Sequence, residues 1–182
     1  MTEAFITRSI AYHESGHAIA ALVLGKPLWR VTINPSERSG ECLAVAPTLK
    51  LRSGFTDLDA FDAICRYWKK SHITPEARKF ISDHAVELCA GLAAQRLVDT
   101  SATVDAWHDA HKIRGFASLF PGEHDFEERM RARAQALVLQ HRGEVARVAD
   151  ALVERHQLSG DQVRSICSSV DMRYRVMQLR IA

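Results

Sequence analysis

Apolar positions near the start of the chain form a continuous helical stripe. Ile10, Ala11 and Tyr12 lead into Ala18-Ile19-Ala20-Ala21-Leu22-Val23-Leu24, which predicts one helix from about Thr7 to Leu24. Gly25 and Pro27 supply its stop, since glycine suits the position just past a helix and proline cannot continue one. Two short runs follow, Val31-Thr32-Ile33 and Cys42-Leu43-Ala44-Val45, separated by the turn formers of Asn34 to Gly40. They predict a small hairpin. After a loop from Pro47 to Thr56, Ala60, Phe61, Ile64 and Trp68 fall at helical spacing behind Thr56 or Asp57 as cap. Thr74-Pro75-Glu76 opens the next helix with a cap, a proline at the first helical position and an acid; Ile81, Ala85, Leu88, Leu92 and Leu97 carry it to Val98. Gly91 in its middle costs about 1 kcal/mol against alanine, and a close approach from a neighbouring helix would account for both Gly91 and Gly16.

The second half repeats the helical pattern. Ser101 or Thr103 caps a helix through Ala106, Ala110, Ile113 and Phe116 that Pro121-Gly122 ends; helices from Asp125 to His141 and, past Gly143, to His156 follow. Ser159-Gly160-Asp161-Gln162 has capping-box spacing and opens a last helix through Val163, Ile166 and Val170. The tail from Asp171 to Ala182 is rich in arginine. The expected fold is mainly α (α+β), with a small hairpin beside the first helix. A length of 182 residues suits one domain: residues 1–100 hold the first helix, hairpin and following helices, and 101–182 the remaining helices.

Composition narrows the function classes. Hydrophobic residues at 47% and charged ones at 25% are ordinary for a soluble globular protein. Lys+Arg 24 against Asp+Glu 22 leaves no strong field for nucleic acid or an anionic membrane, so neither is an expected partner. The apolar runs fall short of the roughly 20 residues of a spanning helix. The start, Met1-Thr2-Glu3-Ala4, lacks signal-peptide character. Cys42, Cys65, Cys89 and Cys167 show no paired-thiol motif and read as buried free thiols in a reducing cytosol. A cytoplasmic location is the expectation.

The chemistry concentrates in His13-Glu14-Ser15-Gly16-His17. Four residues apart on a helix, His13 and His17 project from one face about 5–6 Å apart at Cβ, a gap two imidazole nitrogens can close on one zinc. Glu14 lies one step round the helix, where a general base reaches a water. Within an apolar helix, such polar groups are costly to bury without partners. A catalytic zinc site usually takes three protein ligands. Asp105, Asp109, Glu87, His84, His108 and His111 are the candidates for the third, with Asp105 and Asp109 level.

Several of these pieces together resemble the peptidase domain of the FtsH family of AAA proteases. Ala11 to Ala18 resembles the start of that domain. Val31-Thr32-Ile33-Asn34-Pro35, with Gly40 beyond, resembles its strand and turn. Gly91-Leu92-Ala93-Ala94-Gln95 resembles its Gly-Arg-Ala-Ala-Glu helix. Thr100-Ser101-Ala102-Thr103-Val104-Asp105 resembles a segment whose final aspartate is the family's third zinc ligand, and Ala151 to Gly160 resembles its C-terminal helices. The resemblance spans nearly the whole chain. It implies zinc on His13, His17 and Asp105 and the base role on Glu14. Leu92 and Gln95 depart from the family's charged pair, and Glu37 and Ser101 stand where it has glycines.

The chain is therefore expected to be a zinc-dependent endopeptidase acting on unfolded or flexible polypeptide. No Walker-type loop occurs in it, so the expected activity needs no ATP; a separate ATPase or adaptor would be the source of delivered substrates. The family's hexameric rings make a homo-oligomer a further expectation. Cys42, Leu43, Ala44 and Val45 are the expected strand for substrate pairing. The alternative is a catalytically silent binding or adaptor module. A more distant rival is a nucleic-acid-binding regulator using arginines near Arg129-Arg131-Arg133 and Arg173-Arg175, which the balanced charge disfavours.

Overall fold

The computed structural model of the protein describes residues 2–44, 62, 65–66, 69, 73–102 and 107–167. Helix α1 runs Glu3–Val23, four residues earlier than its apolar stripe implies. The reason is the cap: the Thr2 hydroxyl accepts from the Phe5 N–H, and Glu3 sits in the positive first turn. At the other end Gly25 takes φ +72°, its N–H bonding to the Leu22 carbonyl and that of Lys26 to Ala21 (2.8 Å). This is a Schellman closure. Almost every residue from Ala11 to Leu22 is buried, so α1 is a central helix with neighbours on several sides.

Strands β1 (Leu28–Asn34) and β2 (Ser39–Ala44) form the expected hairpin, antiparallel, with Val31 opposite Cys42 and Ile33 opposite Gly40. An irregularity between Leu28 and Arg30 lets both Leu28 and Val31 turn inward while Trp29 stays exposed. Helix α2 (Pro75–Gln95) begins as the sequence implies, with the Thr74 hydroxyl accepting from the Ala77 N–H and Pro75 in the first turn. It ends at Gln95, and turn bonds carry the chain through Val98. The helix expected around Ala60 to Trp68 lies largely outside the described residues; residues 62, 65, 66 and 69 are helical.

Helices α3 (Trp107–Ala117), α4 (Phe126–Gln140) and α5 (Arg142–Arg155) follow. The Ser101 hydroxyl donates to Asp99 at 2.6 Å, and Thr103, the other expected cap of α3, lies outside the described residues. Gly143 lies inside the first turn of α5, and the break falls at His141. His156 then takes a left-handed φ of 60°, and its carbonyl accepts the Ile33 N–H at 2.8 Å. This folds Gln157–Ser159 onto β1 as a third strand, β3, giving the order β2-β1-β3. The sequence reading had no strand here, because three residues with one buried Leu158 are too short to show an alternation. The capping box is present in full, with Ser159 and Gln162 exchanging bonds at the start of α6 (Gly160–Ile166). Val170 lies outside the described residues.

The result is mainly helical with a small antiparallel sheet. The core runs from α1 and β1 through α2 to α4 and α5, around fully buried Phe126, Ile81, Leu152, Leu158 and Val31. No helix among the described residues is long and apolar enough to cross a membrane.

The α1–α2 contact positions the site, and Gly16 makes it close. A Cβ at Gly16 would collide with the Ala90 carbonyl oxygen and lie 2.6 Å from the Ala94 Cβ. Gly16→Ala is therefore expected to destabilise the fold by about 1–3 kcal/mol through overpacking, seen as a fall of several degrees in Tm. An unchanged thermal transition would show that the helices can part freely.

Candidate metal centre

Two polar ladders face each other across the α1–α2 contact. Ser9, His13 and His17 recur every four residues on α1, and Glu87, Gly91 and Gln95 do so on α2. Because the helices run antiparallel, Ser9 meets Gln95 and His17 meets Glu87. The His17 Nδ1–H donates to the Glu87 main-chain carbonyl at 2.8 Å. A carbonyl can only accept, so Nδ1 carries a proton, and Nε2 has a lone pair to give whenever the ring is neutral. His13 Nδ1–H likewise donates to Gln95 Oε1 at 3.2 Å, while the Gln95 amide donates to the buried Ser9 hydroxyl at 2.9 Å.

Both lone pairs converge. The two Nε2 atoms lie 3.0 Å apart, and each is 3.2 Å from Asp109 Oδ2, contributed by the first turn of α3. Tetrahedral zinc with ligand bonds of 2.0–2.1 Å needs ligand atoms roughly 3.3 Å apart, so the triangle fits. Two imidazoles and a carboxylate are also a donor set zinc accepts. Gly91 supplies the room. A Cβ there would collide with His17 Nε2 and lie 2.7 Å from His13 Nε2. The missing side chain leaves the Nε2 edges of both rings free of a clash.

Charge at the site follows from this crowding. Burial alone would lower the His17 pKa, yet Asp109 outweighs it and raises it to about 10. Burial opposes ionisation of Asp109, but His17 and the bonds from both histidines hold its carboxyl well below the usual range. Proton and metal compete for the same lone pairs.

Glu14, one step round α1, is buried beside this triangle, and desolvation pushes its carboxyl pKa up while His17 and His13 pull it down. Strand β2 walls it in. A Cβ at Gly40 would lie 2.5 Å from Glu14 Cγ and 2.7 Å from Oε1. Cys42, two residues along the same strand, has its thiol pushed well up by burial, with Glu14, Glu87 and Asp109 adding to the effect. The strand expected to pair with substrate therefore borders the site. Among the described residues β2 is an edge strand; Cys42, Leu43 and Ala44 pair with β1, and Val45 lies outside the described residues.

Among the described residues, one candidate for a third ligand meets both histidines. Asp109 joins His13 and His17. Asp105 lies outside the described residues. His84 Nδ1 is 2.9 Å from Lys26 Nζ, and burial and Lys26 lower its pKa to about 4. The Glu87 carboxylate pairs with Lys26, leaving only its backbone carbonyl for His17. His108 packs beside Trp107, and His111 meets Asp62 at 3.0 Å. Sequence reasoning missed the roles of Gln95, Ser9 and the Glu87 carbonyl. The four-residue ladder Glu87-Gly91-Gln95 was the available signal.

Gln95→Leu would leave the His13 Nδ1–H without its partner in a part-buried setting. Zinc affinity is expected to fall about 10–100-fold, read by competition against a chromophoric chelator; a change below two-fold would remove Gln95 from this role. In comparisons with known proteins, no family model and no curated protein matches this chain.

Proposed function

We propose that the chain is a zinc-dependent endopeptidase that acts without ATP, with His13, His17 and Asp109 as the metal ligands and Glu14 as the base. The observation that carries this reading is the convergence of three ligand atoms, 3.0–3.2 Å apart, over the clear space at Gly91. The resemblance to FtsH-type peptidase domains supports it from the sequence side. A zinc ion held there supplies a Lewis acid that polarises a carbonyl and brings the pKa of water near 7.

The protein's own groups do the rest. Glu14 takes a proton from the water that attacks the scissile carbonyl carbon and delivers it to the leaving amine nitrogen as the C–N bond breaks. Its partly apolar wall at Gly40 keeps the carboxyl desolvated, which raises its affinity for that proton. The outer edge of β2, unpaired among the described residues, offers main-chain donors and acceptors to an extended polypeptide. A cytoplasmic setting, with unfolded polypeptide as substrate, completes the reading.

Zinc titration together with cleavage of an unfolded protein tests it. Asp109→Ala is expected to lose more than about 100-fold in zinc affinity, beyond what outer partners contribute, and to lose cleavage with it. Asp105→Ala is expected to keep both. The reverse order would return the ligand role to the residue that the resemblance names. Absence of cleavage by the zinc-loaded wild type would favour a binding module instead.

A further inference from the structure

A cleft opens beside the metal ligand Asp109 where α2, α3 and α4 meet. Among the described residues its walls are Leu88, Cys89 and Leu92 of α2 and Ala110 and Ile113 of α3. Burial pushes the Cys89 thiol to about 12, so it serves as a neutral, soft apolar surface. The two charged residues on the lining are Asp109 and Arg131. Arg131, on α4, is half-exposed, and Glu127 holds its Nη2 at 2.9 Å. Among the described residues no other protein group bonds to its remaining nitrogens.

We infer that this cleft reads substrate twice: an apolar side chain enters it, and Arg131 takes a carboxylate on an adjoining residue of the same peptide. This rests on the peptidase reading above. The walls are hydrocarbon and thiol, which favours an apolar side chain and offers a polar one no partner. The guanidinium is a planar fork whose geometry suits a carboxylate. Glu127 occupies one nitrogen of that fork, so donors remain. Successive Cα atoms are 3.8 Å apart, so the residue beside the inserted one lies within reach of the long arginine side chain. The cleft also lies where specificity is needed, since Asp109 belongs to both the metal triangle and the lining. The substrate class is a flexible acidic-apolar polypeptide, rather than any unfolded chain.

The test uses the zinc-loaded full chain carrying Glu14→Gln, so that peptides bind without turnover. Two end-blocked fluorescent hexapeptides, Gly-Ala-Leu-Glu-Ala-Gly and its Gln counterpart, are titrated by anisotropy. The Glu peptide is expected to bind up to about five-fold tighter, the scale of an exposed ion pair. Arg131→Glu should abolish or reverse that ratio, and Arg131→Lys should keep part of it. As an exposed position on α4, residue 131 tolerates all three side chains, and equal zinc content and Tm among the variants verify this. Equal affinities in the parent, a ratio untouched by Arg131→Glu, or no binding of either peptide would each overturn the inference. Cleavage by the protein with native Glu14 is measured alongside. Its failure with the ratio intact would strike the peptidase reading and leave the cleft's specificity standing.

Discussion

Gly91→Ala is expected to abolish zinc binding without unfolding the protein. The added methyl carbon would sit 2.7 Å from His13 Nε2 and in collision with His17 Nε2. Neither ring can swing away cheaply, because His17 is held by the Glu87 carbonyl and His13 by Gln95. The methyl thus crowds the Nε2 edges of both rings and displaces them from the geometry that a shared metal needs. Stability is set by two opposing contributions. Alanine in a helix interior gains about 1 kcal/mol over glycine, which offsets part of the overpacking cost of about 1–3 kcal/mol. The two effects separate in a thermal melt with and without zinc. Wild type should be stabilised by zinc, by about 2.7 kcal/mol when the metal stands at a hundred times its dissociation constant. The variant should melt at or a few degrees below the metal-free wild type and ignore added zinc. A zinc-dependent rise in its Tm equal to that of wild type would show that the metal does not lie over Gly91.

Glu14→Gln is expected to lower turnover by a factor of about 10²–10⁴, the usual contribution of a positioned general base, while zinc affinity stays within a few-fold. Glutamine keeps the shape that fits against Gly40 but cannot accept the water's proton. The carboxyl is not among the three converging ligand atoms, so metal binding has no direct reason to change. Replacing a buried carboxylate by an amide also removes a desolvation cost, so the variant should be at least as stable as its parent. Initial rates on an unfolded protein, with zinc stoichiometry on the same samples, decide the matter. Full activity in the variant would exclude Glu14 as the base. Loss of zinc along with activity would show that Glu14 supports the ligand set rather than the proton transfer.

These two outcomes distinguish contributions that the sequence could only place near each other. Gly91 and Gly16 were both read as points of close helix approach. Gly16 is one, against the α2 backbone at Ala90. Gly91 instead faces side chains, the imidazoles of α1. Nothing local distinguishes the two glycines, since each lies mid-helix in an apolar stretch. Gly40 is a third case: it sits where a turn was expected to end, and its closeness to Glu14 depends on how the hairpin lies over α1.

What the sequence determined by itself was whatever depends on a few neighbouring residues. The four-residue spacing of His13 and His17, the stop at Gly25, the start at Thr74-Pro75 and the box from Ser159 to Gln162 all follow from helix periodicity and backbone capping, which act within one or two turns. Only the tertiary structure brought these partners together: Asp109 with the two histidines, 96 residues from His13, Gln95 and the Glu87 carbonyl with their Nδ1 protons, and β3 with the second edge of β1. A ligand set closes through space. Which of several acids reaches it depends on how α1, α2 and α3 pack, and that packing is summed over the whole buried core.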